Sequence, residues 1–419
     1  MNIVALLTVV AAPQSQDTAK ATTLSPVVVT ATRVAIPAVT AGVTVITGDD
    51  LRAQGVTQVL DALRLVPGAF VVQSGSFGGQ ASLFLRGSQD NYTKVLLDGV
   101  PVNDPGGAFD FANLSTENID RIEVVRGPAS VLYGSDAVAG VIQIFTRRGA
   151  GRSTVSASAL GGTFGTAQLD AGVSGSAGAG DYAFTVAQYQ TDGIYAFNNH
   201  YRHTTLGGRV SAAPDSLTDL HVTLQYADNR AGIPTDGSGA VVDQNAFQYA
   251  QRFAFGLDLG RQFTRDVEGR LLLSSSTSDG GFNDLQDGPA DTLGFYGSQN
   301  LDHIQRQSAD MRLNVTLTPG VVATAGGALE VEQERSFNAS QSQFGPSNGS
   351  FDAFRRNGAG YAQVVGTRDG FAWNASARLD DNQAFGTFGT YRVGAAYELP
   401  SSTRVRGALG TAFREPTFF

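Results

Sequence analysis

Leu83–Arg148 reads LFLRGSQDNYTKVLLDGVPVNDPGGAFDFANLSTENIDRIEVVRGPASVLYGSDAVAGVIQIFTRR, and the fold turns on how its apolar runs are interpreted. Val95–Leu97, Ile122–Val125 and Val141–Phe145 are short, rich in β-branched residues and punctuated by Gly and Asp. They read as buried strands joined by tight turns, hence as a small packed domain. Arg86 and Arg126 each precede a glycine. That placing holds a guanidinium at a strand end, where it can pair with carboxylates of a surrounding structure. No nucleophile, base and orienting group come together in a recognisable catalytic motif, so enzyme activity is not expected.

Upstream, Thr44 to Pro67 reads as a strand followed by helices. Thr47 and Asp49 are candidate caps, Leu51 opens a short helix that Gly55 ends, and Val59, Leu60, Leu63 and Val66 share one apolar face. Gln73–Gln80, QSGSFGGQ, is a glycine-rich turn. It is not a phosphate loop, since no Lys-Ser or Lys-Thr follows the last glycine and no helix begins there. Asp104–Phe111 is a second loop of this kind, with Phe109 and Phe111 available to an apolar ligand face. Nearer the start, Ile3–Ala12 is apolar and ends in small residues before Pro13, which fits a secretory signal over residues 1–13, although no Lys or Arg precedes it. An apolar tail is the alternative. Residues 14–41 read as a flexible arm rich in Thr, Ser, Ala and Pro. Within it, Pro26–Arg33 (PVVVTATR) is a β-branched run suited to adding a strand to a partner's sheet edge. It could equally be a first strand of the domain; Pro26 and Pro37 on its flanks favour a detached segment.

Downstream, from Ser153, the texture changes to segments of about 8 to 11 residues between turn residues, as in tilted membrane strands. Phe371, Trp373, Ala375, Ala377 and Leu379 oppose Asn374, Ser376, Arg378 and Asp380. Met311, Leu313, Val315 and Leu317 oppose Asp310, Arg312 and Asn314, and Tyr391, Val393 and Tyr397 oppose Arg392 and Glu398. A soluble sandwich can alternate in the same way. Short turns (Thr264–Asp266, Thr318–Gly320, Arg368–Gly370, Pro400–Ser402) alternate with long polar stretches (Ala227–Asn245, Ser278–Arg306, Ser336–Asn357) expected to be loops. That asymmetry favours a transmembrane barrel. The long stretches carry Asp236 and Asp243 among other aspartates, a possible calcium site, although solvated loop acids explain them as well. His200 and His203 are expected at polar barrel or loop positions, not as metal ligands.

Composition agrees. Among 419 residues, 51 are glycine, 16% are charged and none is cysteine, which removes disulfides and thiolate metal sites. No internal apolar run reaches the roughly 20 residues of a spanning helix. A membrane position therefore demands strands in a closed barrel. The net charge of −9 argues against a nucleic-acid partner.

The central stretch also carries a resemblance. LRG at Leu85–Gly87, LLDGVPVND at Leu96–Asp104, IDRIEVVRGPASVLYGSDAVAGVI at Ile119–Ile142 and the exit into TRRG at Thr146 resemble, in order, the plug of a TonB-dependent outer-membrane receptor. The cobalamin receptors are the nearest likeness. The resemblance implies a mainly β chain with an α+β plug (residues 42–150) inside a transmembrane antiparallel β-barrel (151–419). It implies a TonB box within residues 26–33, at Val27, Val28, Val29, Thr30 and Ala31, engaging the inner-membrane TonB protein. It implies ligand contacts from apical plug loops, for which Ser74, Phe77, Gln80, Asp104 and Phe109 are the candidates, and plug–barrel ion pairs from Arg86 and Arg126. Glu330, Glu332 and Glu398 are candidate partners by facing direction. The implied ligand is cobalamin, or alternatively a ferric siderophore or haem. The implied setting is outer-membrane lipid, as a monomer, with no required cofactor beyond possible loop Ca2+ at Asp236 and Asp243. A non-transporting surface binder or an inactive fragment is the reading from another class. About 13 strands are expected where the family's barrel has about twenty-two, and GALGTAFREP resembles a mid-barrel motif, so the sequence is expected to be a C-terminally truncated receptor.

Overall fold

The computed structural model describes residues 41–75, 77–236, 238–289, 295–399, 401 and 403–418. The expected signal, residues 1–13, and the strand-adding segment Val27–Ala31 lie outside them.

The first domain opens with β1 (Gly42–Thr47), α1 (Gly48–Ala53) and α2 (Val59–Leu63). Thr47 closes a capping box with Asp50, accepting from its backbone N–H at 3.1 Å, and Gly55 takes φ +66° just past the helix end. Asp49 is not the cap; it pairs with Arg52. There follow β2 (Ala69–Gln73), β3 (Ala81–Leu85), β4 (Thr93–Leu97), β5 (Val100–Pro101), β6 (Ile119–Arg126), α3 (Ser130–Tyr133) and β7 (Gly140–Thr146). The turn between β4 and β5 is Asp98-Gly99, both with positive φ (48° and 87°), as a two-residue hairpin of this twist requires. One sheet runs in the order β1-β6-β7-β4-β5, antiparallel except for β4 beside β7, and β2 and β3 form a separate ribbon. Val59, Leu60, Leu63, Leu83, Leu85, Val95, Ile122 and Ile142 are completely buried between sheet and helices. The burial of so many side chains, at about 1.5–3 kcal/mol each, makes this core the domain's main stabilising term.

Thirteen strands follow in one antiparallel meander. They are β8 (Thr154–Gly161), β9 (Ala167–Ala177), β10 (Gly180–Thr191), β11 (Tyr201–Asp215), β12 (Thr218–Gly232), β13 (Phe247–Thr264) and β14 (Val267–Asp284). The rest are β15 (Phe295–Thr318), β16 (Val321–Ser342), β17 (Gly345–Arg368), β18 (Phe371–Asn382), β19 (Gly386–Glu398) and β20 (Arg404–Gly410). β8 and β20 stand at the two edges of this sheet. The strand number matches the sequence expectation, but the lengths do not. β15 and β17 run 24 residues each, and most of Ser336–Asn357, expected as a loop, is strand, with only Gln343-Phe344 between β16 and β17. The physical reason is solvent. Beyond lipid both strand faces are wet, so the sequence loses its alternation while the backbone ladder continues.

Alternation settles which way the wall faces. Leu379 is 59% exposed and its neighbour Asp380 is fully buried, while Met311 is 67% exposed beside buried Asp310. Tyr391 and Val393 are exposed on either side of buried Arg392. Apolar residues point out and polar residues in, the reverse of a soluble sandwich, as strands bathed in lipid require. No helix among the described residues is long and apolar enough to cross a membrane.

Candidate ligand face and plug seat

One end of the wall carries the two-residue turns β9–β10, β11–β12, β13–β14, β15–β16 and β17–β18; the other carries the long connections β10–β11, β12–β13 and β14–β15 together with the short turns β16–β17 and β18–β19. The first domain packs against the inward face of this open sheet, with two loops turned toward the end that carries the long connections. Gly78 lies against the start of β11 and the end of β12: a Cβ there would stand 2.2 Å from the Tyr201 ring and 3.0 Å from Ala231. With φ +80°, the position demands glycine on both counts. Gln248, near the start of β13, donates to the Gly78 carbonyl at 2.5 Å. Ser74, Phe77 and Gln80 are thereby exposed at that end, and Phe77 stacks on Tyr189 of β10 with ring centroids 5.6 Å apart.

The second loop behaves differently. Phe109, expected to face a ligand, is 3% exposed and packs edge-on against Phe111 at 4.9 Å within the core. The loop folds back because Asp110 accepts from the backbone N–H groups of Ala81 and Ala112, both at 2.9 Å, turning Phe109 inward. The Arg252 guanidinium covers its ring at 4.6 Å. Asp104 sits beside that cation. Burial pushes its carboxyl above the ordinary range, and Arg252 and Arg306 pull against the shift.

Arg86 and Arg126 come together, but with a third cation. An ideal Cβ on Gly42 would lie 3.5 Å from Arg86 Nη2, 3.5 Å from Arg406 Nη2 and 3.6 Å from Arg126 Nε. Arg126 donates to the Pro67 carbonyl at 2.7 Å, and burial, then Arg86 and Arg406, hold its pKa below the usual value. The candidate partners Glu330 and Glu332 are engaged elsewhere. Glu332 lies fully inside, between Arg306 and Arg355, its direct cross-strand neighbours on β15 and β17. Glu330 faces Arg306 at 3.8 Å, and Arg355 also pairs with Glu415 at 2.9 Å. Glu330, Glu332 and Glu415 are the one carboxylate trio close enough to share an ion among the described residues, and Arg306 and Arg355 already pair with its members.

The plug–wall ion pair that the structure does contain has the opposite polarity. Asp98, at the β4–β5 turn, accepts from Thr146 N and Oγ1 at 3.0 and 2.6 Å, and from Arg209 Nη1 of β11 at 3.2 Å. Other wall cations hold plug backbone. Arg306 donates to Asn103 O at 2.9 Å, Arg406 to Ala41 O at 3.0 Å, Arg414 to Gly106 O at 2.9 and 2.7 Å, and Arg392 to Pro128 O. Sequence reading missed these, because which inward-facing side chains meet is set by the register between strands.

Asp236 and Asp243 serve their loops. Asp236 accepts from Ser238 and from the Ala240 N–H, and Asp243 from Asn245 N, Ala246 N and Asn198 Nδ2. Neither joins a cluster of three ligating groups among the described residues. His203 stacks on Tyr201 at 6.2 Å and is buried on the inward face, a packed polar position.

A globular plug seated in an outward-apolar antiparallel wall is a specific architecture. Residues 36–141 match the family model for the TonB-dependent receptor plug domain. From plug to wall the chain resembles the TonB-dependent receptors. Across 408 residues it is 27% identical to the vitamin B12 transporter BtuB of Photobacterium profundum, covering 93% of this chain and 62% of that protein. Solved structures share the fold. The ferric citrate transporter FecA superposes with a TM-score of 0.69 at 18% identity, over 90% of this chain and 63% of that one. The ferripyoverdine receptor of Pseudomonas aeruginosa gives 0.74 at 16%, over 94% and 60%. The copper transporter OprC gives 0.72 at 17%, over 90% and 63%. The chain spans about three fifths of the length of these relatives. Its place is the outer membrane, consistent with the apolar outer face of its strands.

Proposed function

We propose that the receptor binds a scarce, bulky nutrient at the exposed plug loop and imports it across the outer membrane, with cobalamin the first candidate. The observation that carries this reading is the run of similarity to a vitamin B12 transporter through 93% of the chain, plug and wall together. Ser74, Phe77 and Gln80 supply the outward contact, an aromatic face with polar neighbours suited to a large amphipathic ligand. Energy enters from the periplasm, where the inner-membrane TonB protein takes Val27–Ala31 as an added strand. The test is uptake of radiolabelled cobalamin by cells carrying the gene, compared with Val28→Pro, which cannot donate to the added ladder. Uptake lost in the variant with binding intact is the expected result. Equal uptake in both sinks the coupling. Growth on limiting cobalamin against growth on limiting iron separates this ligand from a ferric chelate, the class carried by FecA and the ferripyoverdine receptor.

A further inference from the structure

Past the Arg306–Glu332–Arg355 row, toward the end that carries the long connections, the inner face of the wall turns acidic. Glu334 lies two residues beyond Glu332 on β16 and shares its inward parity, and Asp302 shares that of Arg306 on β15. The register sets Asp302 opposite Ser336 and Glu334 opposite Ile304. The two acids are therefore diagonal neighbours, about 7–8 Å apart between Cα atoms. The second plug loop brings Asp104 to the same place. Arg306 holds Asn103 O, and Gly106 is pressed against Pro416, where a Cβ would leave 2.5 Å to the carbonyl oxygen. Burial raises the Asp104 carboxyl above its ordinary range, and Asp110 and Asp302 push the same way.

The acids of this region differ in what the fold asks of them. Asp110 accepts from the Ala81 and Ala112 N–H groups, and Asp302 accepts from Ser336 Oγ at 2.6 Å. Glu334 is 3% exposed, yet among the described residues its carboxylate has neither a hydrogen bond nor an ion pair, and the same holds for the Asp104 carboxyl. The nearby cations are occupied. Arg306 and Arg355 close on Glu332 and its neighbours, and Arg252 lies over the Phe109 ring, pulling on Asp104 without bonding it. Buried acceptors in this state are met by water or by the donor groups of a guest. A guest that displaces the water keeps its affinity only by bringing donors of its own. One that brings carboxylates sets like charges face to face, away from bulk solvent.

We propose that Glu334, Asp302 and Asp104 are specificity-determining residues that select the ligand by charge, accepting a rim of amide N–H or ammonium donors and rejecting anionic ferric chelates. The inference rests on the import reading above and deepens it. Cobalamin is ringed by primary carboxamides, whereas a ferric citrate complex presents carboxylates. Discrimination of this kind comes as much from the repulsive element as from the new bonds.

The test uses the full-length receptor, purified in detergent micelles, and compares cobalamin with its monocarboxylic acids, in which one peripheral carboxamide is hydrolysed. The parent is expected to bind at least one of these acids about tenfold more weakly than cobalamin. Glu334→Gln with Asp302→Asn keeps the shapes and removes the charges, and is expected to bring that ratio to within about twofold. Should the double variant fail to fold, Glu334→Gln alone, at the acid without a partner, gives the same comparison. No discrimination by the parent, or a ratio unchanged in the variant, overturns the proposal. Should the parent bind no corrinoid, the cobalamin reading falls by itself, and the same proteins are offered ferric citrate and a neutral ferric trihydroxamate. Preference of the parent for the neutral chelate, lost in the variant, upholds the charge selection. Preference for ferric citrate overturns it, and binding of neither overturns both readings.

Discussion

The plug and the wall solve burial in opposite senses. In the plug, Leu83, Leu85 and Ile142 are sealed inside and most charges, Lys94, Glu123 and Asp136 excepted, are left outside the core, as in a water-soluble domain. In the wall, Met311, Leu329 and Leu379 face outward while Asp310, Glu332 and Asp380 are buried. One chain therefore carries two hydrophobic codes, and the boundary is the short link between β7 and β8. The lesson is that the wall's inward polar face is not surface but the plug's seat, and its charges are as buried as a core leucine.

The largest effect is expected where that seat is broken. Glu332→Ala leaves Arg306 and Arg355 buried without their shared carboxylate, a loss of about 3–5 kcal/mol measured by unfolding in detergent micelles. A cost under about 1 kcal/mol would mean that the network is solvated and the contrast between the two regions is only apparent. Next comes the same truncation in both codes. Leu83→Ala in the plug core is expected to cost about 2–5 kcal/mol, whereas Leu329→Ala on the lipid face costs less than about 1 kcal/mol in micelles. Comparable losses at the two positions would erase the distinction.

A third test uses pH. Asp136 is fully buried in the plug, and burial raises its pKa from the ordinary value to about 6, with Lys94 opposing. Its folded form thus keeps a proton that the unfolded chain releases near pH 3.8. Stability from this group is present at low pH and is lost as pH rises to about 6, by about 1–3 kcal/mol in all. Asp136→Asn should remove that slope, seen as a smaller difference in melting temperature between about pH 5 and pH 7 than in the parent. An unchanged difference refutes the assignment. The smallest effect is expected for Asp98→Asn, which keeps an acceptor for Thr146 but removes the charge opposite Arg209; about 1–2 kcal/mol less resistance to plug release in urea would be the signature.

Much of this is legible in the chain. Period-two alternation in Phe371–Asp380 and Met311–Leu317 survives because lipid and plug impose opposite demands on successive residues. The helix face Val59, Leu60, Leu63 and Val66 is equally plain, because one stripe packs on one sheet. Illegible parts have physical causes. Phe109 reads as a ligand contact because a phenylalanine in a glycine-rich loop looks exposed; only the turn made by Asp110 shows that it is swallowed. The ends of β15–β17 escape a sequence reading because strands outside lipid no longer alternate. The Arg306–Glu332–Arg355 row depends on register between strands, which parity along each strand cannot supply.

The grip of Arg306, Arg392, Arg406 and Arg414 on carbonyl oxygens has a consequence for how such a molecule can change over time. A carbonyl is the same whatever side chain its residue carries. The docking contacts at positions 41, 103, 106 and 128 thus do not themselves read side-chain identity, although Asn103 is fixed by its side-chain bonds to Val95 N and Thr93 O and Gly106 by the 2.5 Å that a Cβ would leave to Pro416 O. A seat built in this way lets selection reshape a ligand-facing surface without renegotiating the fit of the part that carries it.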